Sequence, residues 1–251
     1  MKDQPGSLDP QFDGFAEDYD AALNRGLSVS GEAKEFFAEG RLRWLRRRLD
    51  KVGAETERAL DFGCGTGTSG PLLLSLCGVQ NVLGVEVSSK SIEVARRIHP
   101  DPRLTFGLID ECKPRADFDL AFCNGVFHHV PPANRPACVE YVFRSLRPGG
   151  CFAVFENNPW NPGTQIVMSR IPFDRDAIKL SPLSSEGMLR AGGFEIVTTD
   201  FLFFFPKQLA WFRRIESHLC KLPLGAQYLV LARKPTTPPP VRQVVPSLSG
   251  E

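Results

Sequence analysis

From residue 58 onward the chain switches regularly between two hydrophobic periods, and this alternation constrains the fold more than any other feature. RALDFG (58–63), VLGVEV (82–87), LTFGLI (104–109), FDLAFC (118–123) and CFAVFE (151–156) read as short strands. SGPLLLSLCG (69–78), SKSIEVARRIH (89–99) and RPACVEYVFRSL (135–146) read as helices between them. Strands separated by helices require right-handed crossovers, which produce a parallel sheet covered on both faces. The glycines of RPGG (147–150) and RAGGF (190–194) fall where helices should close before a following strand. Two more strand candidates, FEIVTTDFLFFFP (194–206) and GAQYLVLARKP (225–235), flank a helical KQLAWFRRIESHLCKL (207–222). The expected architecture is α/β, with a Rossmann-like sheet of seven strands, mostly parallel, whose last strand is antiparallel.

The organisation outside this unit is simpler. Residues 1–50 read as an N-terminal helical cap, with the aromatic pair Phe15 and Tyr19 in FAEDYD (15–20) and then AKEFFAEGRLRWLRRRL (33–49). The five arginines between Arg41 and Arg48 read as its solvated face. Residues 51–235 form the main domain, with an insert at about 158–180, and the proline-rich 236–251 reads as a flexible tail. The formal charge of +1 supplies no field to gather a polyanion, so nucleic acid is not expected as partner. Seven cysteines form no close pair, and no third ligand accompanies the adjacent histidines, so neither a disulfide framework nor a metal site is expected. No apolar run reaches the roughly 18 residues of a membrane span, and the polar start is unlike a signal peptide. A cytoplasmic location follows as the expectation.

LDFGCGTGTSGP (60–71) carries the chemistry of the first crossover. A dinucleotide fingerprint would read G-x-G-x-x-G, whereas Gly63, Gly65 and Gly67 give G-x-G-x-G, and Thr68 stands where the third fingerprint glycine belongs. Asp61 lies inside the strand just before the loop, where a carboxylate repels phosphate and suits a cation. Glu86 ends the second strand, 21 residues after Gly65, where it can accept both hydrogens of a ribose diol. These residues fit a positively charged adenosine ligand better than a polyphosphorylated one, and they disfavour a nicotinamide-dependent oxidoreductase.

ALDFGCGTG, VLGVEVS, FDLAFCNGVFHHVPP and SLRPGGCFAVFE occur in order over about 57–157, and in this the chain resembles the class I S-adenosylmethionine-dependent methyltransferases. The resemblance implies S-adenosyl-L-methionine as cofactor. It implies Asp61 near the methionine ammonium, Gly63, Cys64, Gly65 and Gly67 as the loop around the methionine portion, Glu86 on the ribose and Val87 against adenine. Asp110 matches the polar position after the third strand, Asn124 or Cys123 the contact after the fourth, and Tyr19 a lid helix. GVFHHVPP (125–132) is similar to the segment of small-molecule methyltransferases in which the first histidine is the base, which implies His128 as base, His129 beside it and Glu156 as its support.

The expected activity is methyl transfer to a small-molecule acceptor, with O-methylation ahead of N-methylation. A non-catalytic binding protein that keeps the cofactor pocket is the rival. FENNPWNPG (155–163) reads either as a strand-exit turn or as a polar acceptor loop. The aromatic helix bearing Trp211, Phe212, Ile215 and Leu219 reads as a roof for an apolar or lipid-linked acceptor. The sequence does not give the oligomeric state.

Overall fold

The computed structural model describes residues 26–27, 30–171 and 177–236. Tyr19, Phe15, most of the 171–178 segment and nearly all of the C-terminal tail lie outside the described residues. The first long element, α1 (Lys34–Lys51), buries Phe37, Leu42, Leu45 and Leu49 on one stripe, with Glu35 in its first turn and Arg48 and Lys51 in its last. That charge order complements the helix dipole. Then follow β1 (Arg58–Phe62), α2 (Ser69–Cys77), β2 (Asn81–Glu86), α3 (Ser89–Ile98), β3 (Leu104–Leu108), β4 (Phe118–Asn124) and α4 (Arg135–Ser145). The chain continues through β5 (Leu146–Asn157), α5 (Pro162–Arg170), α6 (Pro182–Ala191), β6 (Glu195–Leu202), a 3₁₀ helix (Lys207–Ile215), the short α7 (Glu216–Leu219) and β7 (Gln227–Arg233).

The seven strands form one sheet in the order β3-β2-β1-β4-β5-β7-β6. The pairs among β1 to β5 are parallel, as the alternation predicts, and β7 runs antiparallel to both β5 and β6, in line with the expected antiparallel last strand. Successive strand residues fall into two apolar clusters. Ala59, Leu120, Phe122, Cys151 and Ala153 join α1, α2 and α3, whereas Leu60, Ala121, Cys123, Phe152 and Val154 join α4 and α6. Strands buried on both faces explain why RALDF and CFAVF read as apolar runs without strict alternation. Because Leu42, Leu45 and Leu49 belong to the first cluster, α1 is a packed layer of the domain.

Four local expectations are corrected. RPGG does not close α4: the helix stops at Ser145, and Arg147–Gly150 already belong to the long β5. β6 ends at Leu202 because Phe203 adopts φ +62° and leaves the sheet. Phe201 is buried at the end of the strand, while Phe203 turns against Phe36 and Phe37 at 5.8 and 5.0 Å. The amides of Phe204 and Phe205 donate to the Glu216 carboxylate. The segment after them is a 3₁₀ helix with no buried residue and not one continuous helix. Finally, the arginines of α1 are not all solvated. Arg48 donates to the buried Asp200 at 2.5 Å, and Arg41 reaches Gln227 of β7 at 2.9 Å.

Candidate active site

The loop after β1 is held from several sides. The N–H groups of Gly63 and Cys64 both donate to the Val85 carbonyl of β2, and Gly67 N–H donates to the Cys64 carbonyl. Gly63, Gly65 and Gly67 all have positive φ (70°, 52° and 79°). Their reasons differ. A Cβ on Gly63 would lie 2.4 Å from a methyl of Val126, and one on Gly67 would lie 2.7 Å from the Phe106 ring. A Cβ on Gly65 would meet no protein atom within 4 Å. Gly63 and Gly67 are therefore packing requirements, whereas the open side of the loop is at Gly65, where a ligand can approach the backbone.

Two carboxylates border this loop. Asp61 is buried, and its Oδ2 has no hydrogen-bond partner. Burial first, and the charge of Glu86 second, push its carboxyl from 3.8 up to about 7. Glu86 is fixed by backbone donors: Gly65 N–H reaches its Oε2 at 3.0 Å, and Val87 N–H reaches its Oε1 at 2.7 Å. The Cys64 thiol turns into the core beside Gly84, and burial together with Asp61 and Glu86 drives its pKa up, so Cys64 offers a ligand only its backbone. Val87 is exposed just beyond Glu86, and Asp110 is exposed on the turn after β3, whose Ile109 N–H pairs with the Glu86 carbonyl. An orphaned buried carboxylate oxygen and an open glycine cradle fit the ammonium and the sulfonium-bearing chain of S-adenosylmethionine; the ribose would fall to Glu86.

The second half of the site lies past β4 and β5. Cys123 is fully buried in the core, so of the two residues named for this position Asn124 is the one facing the cleft. Gly125 follows with φ +67°, and a Cβ there would sit 3.5 Å from the His128 ring. His128 and Glu156, 3% and 2% exposed, are joined through Nδ1 and Oε2 at 2.5 Å. The other oxygen of Glu156 accepts the Phe127 N–H at 2.9 Å, which fixes the carboxylate before it fixes the histidine. His129 stacks obliquely on His128, with ring centroids 4.0 Å apart. Both histidines line a cleft with Asn124, Glu156, Asn157 and Gln227.

The FENNPWNPG stretch is mostly structural. Asn158 donates to the Pro223 and Gly225 carbonyls, and Asn161 caps α5 through Thr164 N–H and also reaches the Leu224 carbonyl. Of its asparagines only Asn157 lines the cleft. Trp211, Phe212, Ile215 and Leu219 are not among the lining residues, and Trp211 is 69% exposed, so the roof expected from them does not form. Leu27, Phe37, Val167 and Ile171 line the cleft beside its polar residues, so the lining is mixed and does not single out an apolar acceptor.

Sequence reasoning missed Arg135, which latches the histidine turn: Nε donates to the Phe127 and Val130 carbonyls and Nη2 to that of Ile178. It also missed Val126, Arg41 and Gln227, whose roles arise only when distant strands and helices meet. A glycine three residues before the first histidine was the one local signal on offer. Among the described residues no group of His, Cys, Asp and Glu could hold a metal ion, and no helix is long and apolar enough to cross a membrane.

Residues 59–150 match the methyltransferase domain family. The chain is 33% identical over 119 residues to a trans-aconitate 2-methyltransferase of Methylobacterium nodulans, a match covering 47% of this chain and 45% of the relative. It is 31% identical over 137 residues to the enzyme of that name from Azoarcus, covering 54% and 53%. The chain thus spans about half the length of the curated relatives it matches. Among solved structures, a methyltransferase of Mesorhizobium loti superposes with TM-score 0.56 at 21% identity, over 78% of this chain and all of that one. Residues 59–150 thus carry a methyltransferase domain, and the fold around it is the one seen in S-adenosylmethionine-dependent methyltransferases.

Proposed function

We propose that this chain transfers a methyl group from S-adenosylmethionine to an oxygen of a small-molecule acceptor, with His128 as the base and Glu156 as its support. The observation that carries this reading is the buried 2.5 Å contact between His128 Nδ1 and Glu156 Oε2 at the carboxyl edge of the sheet. S-adenosylmethionine, when bound, supplies an electrophilic methyl group on a positive sulfur. Most of the remaining task is orientation, which contributes about 7–11 kcal/mol. An amine that arrives neutral needs no base; a hydroxyl does, and a positioned base contributes roughly 10²–10⁴-fold.

The chain's own residues divide that work. Glu156, fixed by the Phe127 N–H, orients the imidazole and stabilises its charged form. His128 takes the acceptor proton on Nε2, the ring nitrogen that does not face Glu156. Asn124 and Asn157 offer amides to the acceptor. The relatives named for trans-aconitate support a small, oxygen-bearing acceptor.

The test measures S-adenosylhomocysteine formation across hydroxy acids, carboxylates and phenols, alongside S-adenosylmethionine affinity. With a hydroxyl acceptor, His128→Asn should lower turnover by roughly 10²–10⁴-fold with cofactor affinity unchanged; a carboxylate acceptor, already without its proton, would not need the base. A variant that keeps full turnover removes the base. A wild-type protein that binds the cofactor but methylates nothing favours the binding-protein alternative.

A further inference from the structure

A base works only where its backbone puts it, and the turn that carries His128 is gripped from three sides. Phe127 is held at both of its backbone groups: its N–H donates to Glu156 Oε1 at 2.9 Å, and its carbonyl accepts from Arg135 Nε at 3.1 Å. The same Nε reaches the Val130 carbonyl at 3.0 Å, so one guanidinium nitrogen spans both ends of the FHHV turn (127–130). His128 is held by its own carbonyl, which accepts the Ile178 N–H at 2.9 Å, and Arg135 Nη2 donates to the Ile178 carbonyl at 3.1 Å. Two residues on, the Leu180 carbonyl accepts the hydroxyl of Tyr228, which stands opposite Glu156 in the β5–β7 pairing. The histidine turn, the strap at 178–180 and the two strands thus form one closed mount. Arg135 is the side chain that bonds to both the turn and the strap.

Helix stability does not account for this residue. Arg135 is the first residue of α4, whose first turn carries no acidic side chain, and a cation at a helix N-terminus opposes the helix dipole. It is also half-buried, and burial lowers its pKa, with the Glu156 charge acting in the other direction. A cation at the wrong helix end and partly stripped of water is kept there by its partners, and those partners are three carbonyls around the base. The planar guanidinium suits the task because its N–H groups point in fixed, different directions, which a single ammonium group does not provide.

We infer that Arg135 is a positioning residue for methyl transfer: by bonding Phe127, Val130 and Ile178 at once, it sets the His128 imidazole against Glu156 and toward the cleft. This inference rests on the reading of His128 as the base, and its test separates the two. Arg135 acts through the turn and not on the reacting atoms. A misplacement of about 1 Å in such a device costs on the order of 10²-fold in rate.

The experiment is a double-mutant cycle on the full chain, reading turnover of a hydroxyl acceptor that the wild type methylates, with S-adenosylhomocysteine affinity measured beside it. Arg135→Gln should lower turnover by roughly 10²-fold, and Arg135→Lys, which keeps the charge, by less, with S-adenosylhomocysteine affinity unchanged in both. In the His128→Asn background the Arg135 substitution should cost nothing further, because the group it positions is gone. Should Arg135→Gln fail to fold, Arg135→Lys takes its place in the same cycle. Full turnover in Arg135→Gln, a loss that carries over in full to His128→Asn, or a fall in S-adenosylhomocysteine affinity overturns the inference and leaves the methyl-transfer reading intact. Full turnover in His128→Asn, or no hydroxyl acceptor methylated by a wild type that binds the cofactor, would instead overturn the reading beneath it.

Discussion

Asp61 and Glu156 are both buried carboxylates at the same edge of the sheet, and the protein treats them in opposite ways. Glu156 is fully satisfied, by an imidazole on one oxygen and a backbone amide on the other. Asp61 keeps an orphaned Oδ2, with Glu86 as its charged neighbour, and its pKa rises to about 7. A satisfied buried carboxylate holds other groups in place, so Glu156 belongs to a prebuilt device. An unsatisfied one destabilises the fold until a cation reaches it, which is why Asp61 is proposed as part of a binding site. On the proposed function, the cofactor side and the acceptor side of the site rest on these two solutions.

The sharpest way to break this contrast is Glu156→Ala. It strands both His128 and the Phe127 amide in the interior, and should cost about 3–5 kcal/mol of stability in denaturant melts. A loss below about 1 kcal/mol would mean that the dyad is not a structural pair at all.

Asp61 should show the opposite behaviour, visible as a pH dependence. Its folded pKa of about 7 lies above the ordinary 3.8, so between those values the folded chain holds a proton that the unfolded chain has released. The stability it contributes is intact below about pH 4 and is lost progressively up to about pH 7, by about 4 kcal/mol in the ligand-free protein. Asp61→Asn should flatten that slope in melts from pH 5 to 8, and identical slopes for the two proteins would contradict the assignment. S-adenosylmethionine, by supplying a cation, should stabilise the wild type more at pH 8 than at pH 5.

Smaller effects test how the halves are joined. Gly63→Ala places a methyl against Val126 in a left-handed backbone conformation, and should cost about 1–3 kcal/mol while disturbing the turn that carries His128. Asp110→Ala, on an exposed turn, should change stability by less than about 0.5 kcal/mol, so any change in cofactor affinity it produces reports a direct contact.

The two halves also differ in how far they could be read from the sequence. The loop glycines, Asp61 and Glu86 lie within 26 residues along the chain, and their spacing reflects one strand–turn–helix–strand unit, so local pattern was enough to find them. His128 stands out by its place after the fourth strand, but its role as base and that of Glu156 as support come from the likeness of GVFHHVPP to the segment of small-molecule methyltransferases. Arg41 and Gln227 are 186 residues apart and meet only after α1 packs against the sheet and β7 inserts between β5 and β6, so no local pattern marks them. Phe203 misled for a related reason. A run of phenylalanines is good strand text, but the backbone turns left-handed there so that the ring can reach α1. The asparagines of 155–163 left two readings open because amides that fasten a loop and amides that meet a ligand have the same letters, and the structure divides them: Asn158 and Asn161 fasten the loop, and Asn157 lines the cleft.

On the proposed function, the β1–β2 edge holds a cationic adenosyl ligand between Asp61 and Glu86. Calorimetric titration of S-adenosylmethionine into the wild type and into Glu86→Ala tests it most directly. The account predicts micromolar binding that weakens by roughly 10- to 100-fold in the variant, from loss of charge-assisted hydrogen bonds. Equal affinity in the two proteins, or no heat with the wild type, would contradict it.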